Sequence, residues 1–170
     1  MNDQEHNIYA PPQSAPLEAM EEVQLAGRGL RFAAVMIDGL ISTAIMAPFM
    51  YLTGFWGRAM SMSVSVMEML LWAIAGLVLF MLLHGKLLKQ HGQTIGKRTV
   101  GIRIVSAESG EIIPLQKIMV ARVLPVHIVA NLPPPFNYLM MIDALMIFRR
   151  DRRCLHDILA GTRVVLAKKG

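Results

Sequence analysis

Residues 30–52, LRFAAVMIDGLISTAIMAPFMYL, are apolar throughout except for two charges, Arg31 at the entrance of the run and Asp38 inside it. A bilayer core about 30 Å thick is crossed by roughly 20 apolar residues in helical form, and the stretch from about Phe32 to Thr53 has that length. A second stretch, from about Val66 to Leu83, has it too, with Lys86 and Lys89 just beyond. Hydrocarbon offers no partner to a backbone amide, so segments of this kind satisfy their own backbone as helices. With 54% hydrophobic and only 17% charged residues, the chain is too apolar for an ordinary soluble globule. It reads as an all-α integral membrane protein.

Charge placement predicts the topology. Between the two runs, GFWGRAMSMS carries one basic residue, Arg58, and a tryptophan suited to the membrane interface, Trp56. Lys86, Lys89, Lys97, Arg98 and Arg103 follow the second run, and Arg149, Arg150, Arg152 and Arg153 follow the last apolar stretch. Basic residues mark the cytoplasmic side, so the loop near Arg58 is expected outside and both termini inside. The basic groups lie between and after apolar runs rather than alternating with aromatics, which argues for lipid headgroups and against nucleic acid as partner.

The stretch from Pro114 to Phe148 is less regular. LQKIMVARVLPVHIVANL contains Lys117, Arg122, Pro125 and His127, and FNYLMMIDALMIF is a short apolar run. Pro133 to Pro135 interrupt helix between them. A helical hairpin is predicted, whether crossing fully or re-entering, giving about four transmembrane or re-entrant helices in all. Ahead of it, Val100, Ile102 and Ile104 alternate along the linker and ESG supplies a turn before Ile112 and Ile113. This predicts a short β-hairpin on the cytoplasmic face. Its glycines do not make a phosphate loop: Gly92 precedes Gly96 by too few residues, and Arg98 follows Lys97 where Ser or Thr is required.

Residues 1–27 are polar and proline-containing, with five acidic residues and no basic one. They read as a cytoplasmic tail, neither signal nor transit peptide, ahead of a membrane domain over residues 28–168. A single cysteine, Cys154, forms no internal disulfide. Cys154, His156 and Asp157 suggest a nucleophile or a metal, but close neighbours on one backbone do not converge without help from elsewhere. No metal, cofactor or enzymatic activity is expected.

Three ordered motifs carry a resemblance. RFAAVMIDGLI with Arg31 and Asp38, GQTIGKRTVGIRIV, and RRCLHDILAGTRVV with Asp157 resemble the signatures of the RDD family of small bacterial membrane proteins, over about residues 25–167. The family is named for one arginine and two aspartates. The resemblance implies Arg31 and Asp38 for the first two, and it leaves Asp157, which fits the His-Asp-x-x-Ala-Gly-Thr signature, or Asp143, which is embedded in an apolar run, for the last. It also implies the inner (cytoplasmic) membrane of a bacterium, and transport without a substrate.

The residues themselves suggest how. Arg31 and Asp38 are seven apart, about 10 Å along one helix face, so Asp38 needs a closer partner. Counted inward from the cytoplasmic ends, Asp143 lies about 9 Å deep and Arg122 about 12 Å deep, which predicts a layer in which Asp38 and Asp143 surround Arg122. Buried intramembrane charge of this kind is expensive and faces a partner or a water-filled path. Either the cluster locks helices together, or it moves a small ion or solute as an aspartate changes protonation. His127 is a candidate proton carrier or a plain hydrogen-bonding histidine, and Glu68 an interfacial anchor or relay member. A homo-oligomer is expected, because so few segments make a thin wall for a pathway. The alternative is a non-catalytic membrane scaffold or assembly partner.

Overall fold

The computed structural model describes residues 24–132 and 135–167. The tail reading therefore lies mostly outside the described residues, as do Pro133 and Pro134 of the hairpin turn.

Two long helices set the frame, α1 (Arg28–Leu52) and α3 (Val66–His91), joined by the short helix α2 (Phe55–Met60). At 25 and 26 residues they extend roughly 38 and 39 Å, enough to cross a bilayer core. Their large side chains are bare on the protein's outside: Phe32, Val35, Leu40, Leu71 and Leu82 are all exposed, the surface expected where lipid rather than protein covers a helix. Ser65 caps α3, its hydroxyl accepting the Glu68 amide at 3.1 Å. Gly92 ends it in the left-handed conformation, φ +64°.

Past Gly92 the chain makes one helical turn and a half, α4 (Ile95–Thr99), then the strand β1 (Ile102–Ser106). Here the predicted hairpin is corrected. β1 pairs antiparallel with β2 (Thr162–Leu166), in register from Ile102 opposite Leu166 to Ser106 opposite Thr162. After the Glu108–Gly110 turn only one ladder-like bond returns to β1, from the Ser106 amide to the Glu111 carbonyl at 2.8 Å. Ile113 then drops into the core and Pro114 starts the next helix. A proline has no amide to give a ladder, so the return arm ends where a second strand would need to continue. Residues just before α1 join β2 on its other side, Ala26 donating to the Val164 carbonyl at 3.0 Å. Ala26, Ala34, Leu88, Ile102, Ile104, Ile118 and Val164 form the buried core at this end of the molecule.

The second half contains the helical hairpin. Its first arm runs through α5 (Leu115–Ile118), a π-helical turn at Met119–Val123 and α6 (Leu124–Ala130). Pro125 explains the wide turn: it lacks an amide and crowds the carbonyl four residues back, and the Leu124 amide instead reaches the carbonyl of Met119. The second arm is α7 (Leu139–Leu145) with a 3-10 turn at either end, spanning Phe136–Phe148. The arms extend about 24 and 20 Å, each short of the roughly 30 Å core, so α1 and α3 alone have crossing length among the described helices. His127 fastens the hairpin to the middle of α3, its Nε2 donating to the Ala73 carbonyl at 2.7 Å. A short helix, α8 (Leu155–Leu159), leads into β2.

Candidate functional site

The sequence groups Arg31, Asp38, Arg122, Asp143 and Asp157 as candidates for one polar cluster, with Asp38, Arg122 and Asp143 in a common membrane layer. The structure sorts them into two groups with different partners.

Asp157 anchors the first group and is 1% exposed. Arg122 donates to its Oδ1 in a tight ion pair and to Thr162 Oγ1 at 2.9 Å. Arg31 approaches its Oδ2 at 3.4 Å, and the same guanidinium donates to the Arg152 carbonyl at 2.6 Å and the Val164 carbonyl at 3.0 Å. The Cys154 amide also donates to Asp157, at 3.3 Å. Arg31 comes from α1, Arg122 from the π-helical turn and Thr162 from β2, so one carboxylate ties the first long helix, the hairpin and the sheet. Burial alone would raise the Asp157 pKa; Arg122, His156 and Arg31 outweigh it and hold the carboxyl below the ordinary range. This group stays ionised at neutral pH.

Asp143 stands beside that group rather than around Arg122. It accepts the His156 amide at 2.9 Å and His156 Nδ1 at 2.7 Å, fixing the end of the second hairpin arm to α8. One donor atom each from Asp143, Cys154 and His156 lies within 4.8 Å of the others. The sequence treated Cys154 and His156 as neighbours without outside help, and Asp143 is the outside residue that fold proximity supplies. The Cys154 thiol is nonetheless kept protonated, pushed up to about 11 by burial and then by Asp157 and Asp143, which makes it a poor nucleophile.

The second group surrounds Asp38. The carboxylate accepts the Thr94 hydroxyl on Oδ2 at 2.5 Å and the Gly96 amide on Oδ1 at 2.7 Å. Thr94 is the N-cap of α4, its Oγ1 also accepting the Lys97 amide at 3.3 Å. Gly96 is where α4 touches the backbone of α1: a Cβ there would overlap the Ala34 carbonyl oxygen. Small size, not phosphate binding, is what this glycine supplies. His84 of α3 lies opposite, fully buried, with Nε2 3.9 Å from Asp38 Oδ1. Among the described residues no lysine or arginine pairs with Asp38.

Asp38, Ser42, His84, Thr94, Lys97 and Arg122 line a cavity of about 310 Å³ at this end of the long helices. Arg122 thus reaches both groups: its Nη1 is committed to Asp157 and Thr162 while its side chain forms part of the cavity wall next to Asp38. The predicted direct Asp38–Arg122 pairing is absent because Asp157 and Thr162 take the guanidinium first. Lys97 is held down to about 8, by burial and then by the nearby charge of Arg122. His127 does not line the cavity. Glu68 is at the other end of α3, bonded through both carboxylate oxygens to Arg58.

Thr94, Gly96, Lys97 and His84 were missed by the sequence reading. The signal for the first three was the Gly-Gln-Thr-Ile-Gly-Lys run itself, set only against nucleotide binding. His84 was hidden by ending the second apolar run at Leu83.

Residues 25–161 match the RDD family. The chain belongs to the RDD family. No curated protein and no solved structure matches it. In this RDD membrane protein Arg31 and Asp38 stand on α1 as the resemblance implies, and of the two remaining aspartates it is Asp157 that bonds Arg31.

Proposed function

We propose that this RDD protein sits in the bacterial inner membrane and moves a small ion or solute through the cavity at Asp38, with protonation of that carboxylate coupled to movement. The observation that carries this reading is the contrast in partners. Asp157 is locked between two guanidinium groups and cannot change charge during turnover without breaking the fold. Asp38 is held by a hydroxyl and an amide, lies against a cavity, and has a neutralisable histidine opposite.

Orientation follows from charge. Lys86, Lys89, Lys97, Arg98 and Arg103 lie at or after the end of α3, and Arg149 to Arg153 return to the same sheet end of the molecule. The positive-inside rule supports a cytoplasmic sheet, a cytoplasmic carboxyl terminus and an external Arg58–Glu68 turn. The cavity then opens on the cytoplasmic half of the membrane, and self-association would complete a wall that two spanning helices leave thin.

The test is flux and folded fraction measured on the same samples. Purified protein in sealed vesicles is expected to move an ion or solute with a pH dependence that Asp38→Asn removes while far-UV dichroism stays unchanged. No flux above empty vesicles across a panel of alkali cations and small organic solutes, with a partner protein retained on purification, would overturn this reading in favour of a membrane scaffold.

A further inference from the structure

We propose that the cavity at Asp38 binds a small organic carboxylate, its negative end against His84 and Lys97 and its alkyl part against the apolar wall. This rests on the cavity being the working site and names the class of its occupant.

The first observation is an orphaned donor. His84 Nδ1 accepts the Ile95 amide at 3.3 Å, so in the neutral ring the proton is on Nε2. That N–H is fully buried and, among the described residues, has no hydrogen-bond partner. Asp38 Oδ1 at 3.9 Å is beyond bonding distance. An unmade buried hydrogen bond is expensive to keep, and this one belongs to a residue that lines the cavity.

The second observation is the balance of donors and acceptors. Lys97 lines the same cavity and, among the described residues, its ammonium has no hydrogen-bond or ion-pair partner. Ser42 adds a hydroxyl, and Arg122 adds positive charge. Against these stands one carboxylate, Asp38, each of whose oxygens already accepts a bond. What the described residues lack is an acceptor within bonding distance of His84 Nε2 and the Lys97 ammonium. A metal or alkali cation would bring more positive charge to a place that already holds Lys97 and Arg122, whereas an anion would satisfy the His84 and Lys97 donors together.

The remaining wall decides the kind of anion. Phe80, Leu88, Ile104, Ile118 and Val123 supply an apolar surface that favours an alkyl chain over a fully hydrated inorganic ion. The volume of about 310 Å³ is at the small end of ligand pockets, suited to a few carbons. An ionised Asp38 repels an incoming carboxylate, and Lys97, Arg122 and His84 are the charged or titratable groups around it in the cavity, so removing the Asp38 charge should not weaken anion binding.

The experiment uses the full chain in lipid nanodiscs, with butyrate as the probe and butyramide, butylammonium and inorganic phosphate as comparators, read by titration calorimetry. Butyrate is expected to bind, with butyramide at least about tenfold weaker because a charge-assisted bond is lost. Lys97→Met and His84→Phe should each weaken butyrate by about tenfold, and Asp38→Asn should bind it at least as well as the natural chain. Folding of each variant is checked by dichroism, and the butyrate-to-butyramide ratio is read within one folded variant, so a loss of stability does not mimic the result. Preference for butylammonium, preference for phosphate, or no butyrate binding by folded protein would overturn the proposal. Butyrate binding without flux in vesicles would sink the transport reading and leave this assignment standing. Alkali-cation flux without butyrate binding would do the reverse.

Discussion

Asp157, fully buried, and Asp38, half-buried, are both acids held by side chains and amides from distant parts of the chain, yet their surroundings differ in kind. Around Asp157 two guanidinium groups, a hydroxyl and an amide converge. Around Asp38 the bonds come from neutral groups, and a cavity with an unsatisfied histidine adjoins them. A buried charge that is fully paired is a fastening, since removing one partner strands the others. A carboxylate with open space beside it can instead meet a ligand. On the proposed reading Asp157 holds the fold and Asp38 works in it, and each of the following substitutions tests that division.

The largest effect is expected at the fastening. Asp157→Asn leaves Arg31 and Arg122 buried without their counter-charge and should destabilise the protein by about 3–5 kcal/mol, read as a drop in the thermal midpoint in detergent. The same bond gives a pH signature. Because the folded Asp157 pKa lies below its unfolded value, its contribution is fully present above the ordinary carboxylate range and is lost as pH falls through the folded pKa. The acid limb of the stability profile should therefore flatten in Asp157→Asn. An unchanged acid limb would remove Asp157 from its fastening role.

Gly96→Ala comes next. The added methyl meets the Ala34 carbonyl, which is backbone and cannot swing aside, so an overpacking penalty of about 1–3 kcal/mol is expected. More tellingly, α4 must move off α1 and take the Gly96 amide away from Asp38. Flux should fall further than stability does, whereas the Asp157 variant should lose both together. Equal losses in the two variants would erase the distinction between the regions.

A double-mutant cycle sharpens it. The membrane-depth count pairs Asp38 with Arg122, while the structure gives Arg122 to Asp157 and Asp38 to Thr94 and Gly96. Asp38→Asn and Arg122→Gln should therefore be nearly additive in stability, coupled by less than about 0.5 kcal/mol, whereas Arg122→Gln with Asp157→Asn should couple by more. Strong Asp38–Arg122 coupling would return the cluster to a single layer.

That failed pairing marks what a sequence can and cannot disclose here. The two long helices were legible because hydrocarbon imposes helix on any long apolar run; α1 lies close to the expected limits, whereas α3 continues past Leu83 to His91 and so carries His84. β1 was legible from the alternation of Ile102 and Ile104, but its partner was not: β2 is some fifty residues away and TRVVL competes with the nearby Ile112 and Ile113 on equal local terms. Only Pro114 hinted that the local arm would fail. Depth along a helix located Asp38, Arg122 and Asp143 in adjoining strata, but depth carries no azimuth, and the π-helical turn at Met119–Val123 resets the azimuth of Arg122. The acceptor for both arginines, Asp157, lay outside the apolar runs and so received no depth at all.

An effect confined to alkaline pH separates the regions without touching either aspartate. Lys97 is held at about 8 by burial and by Arg122, against an unfolded value near 10.4. Between those two values the unfolded chain binds more protons than the folded one, so stability rises with pH across that window. Lys97→Met should remove this alkaline rise and leave the acid limb governed by Asp157 intact. Thermal midpoints from pH 7.5 to 10.5 test it, with Asp157→Asn as the complementary curve. If Lys97→Met alters the acid limb instead, the cavity and the fastening titrate as one unit, and the division between Asp38 and Asp157 fails at its most sensitive point.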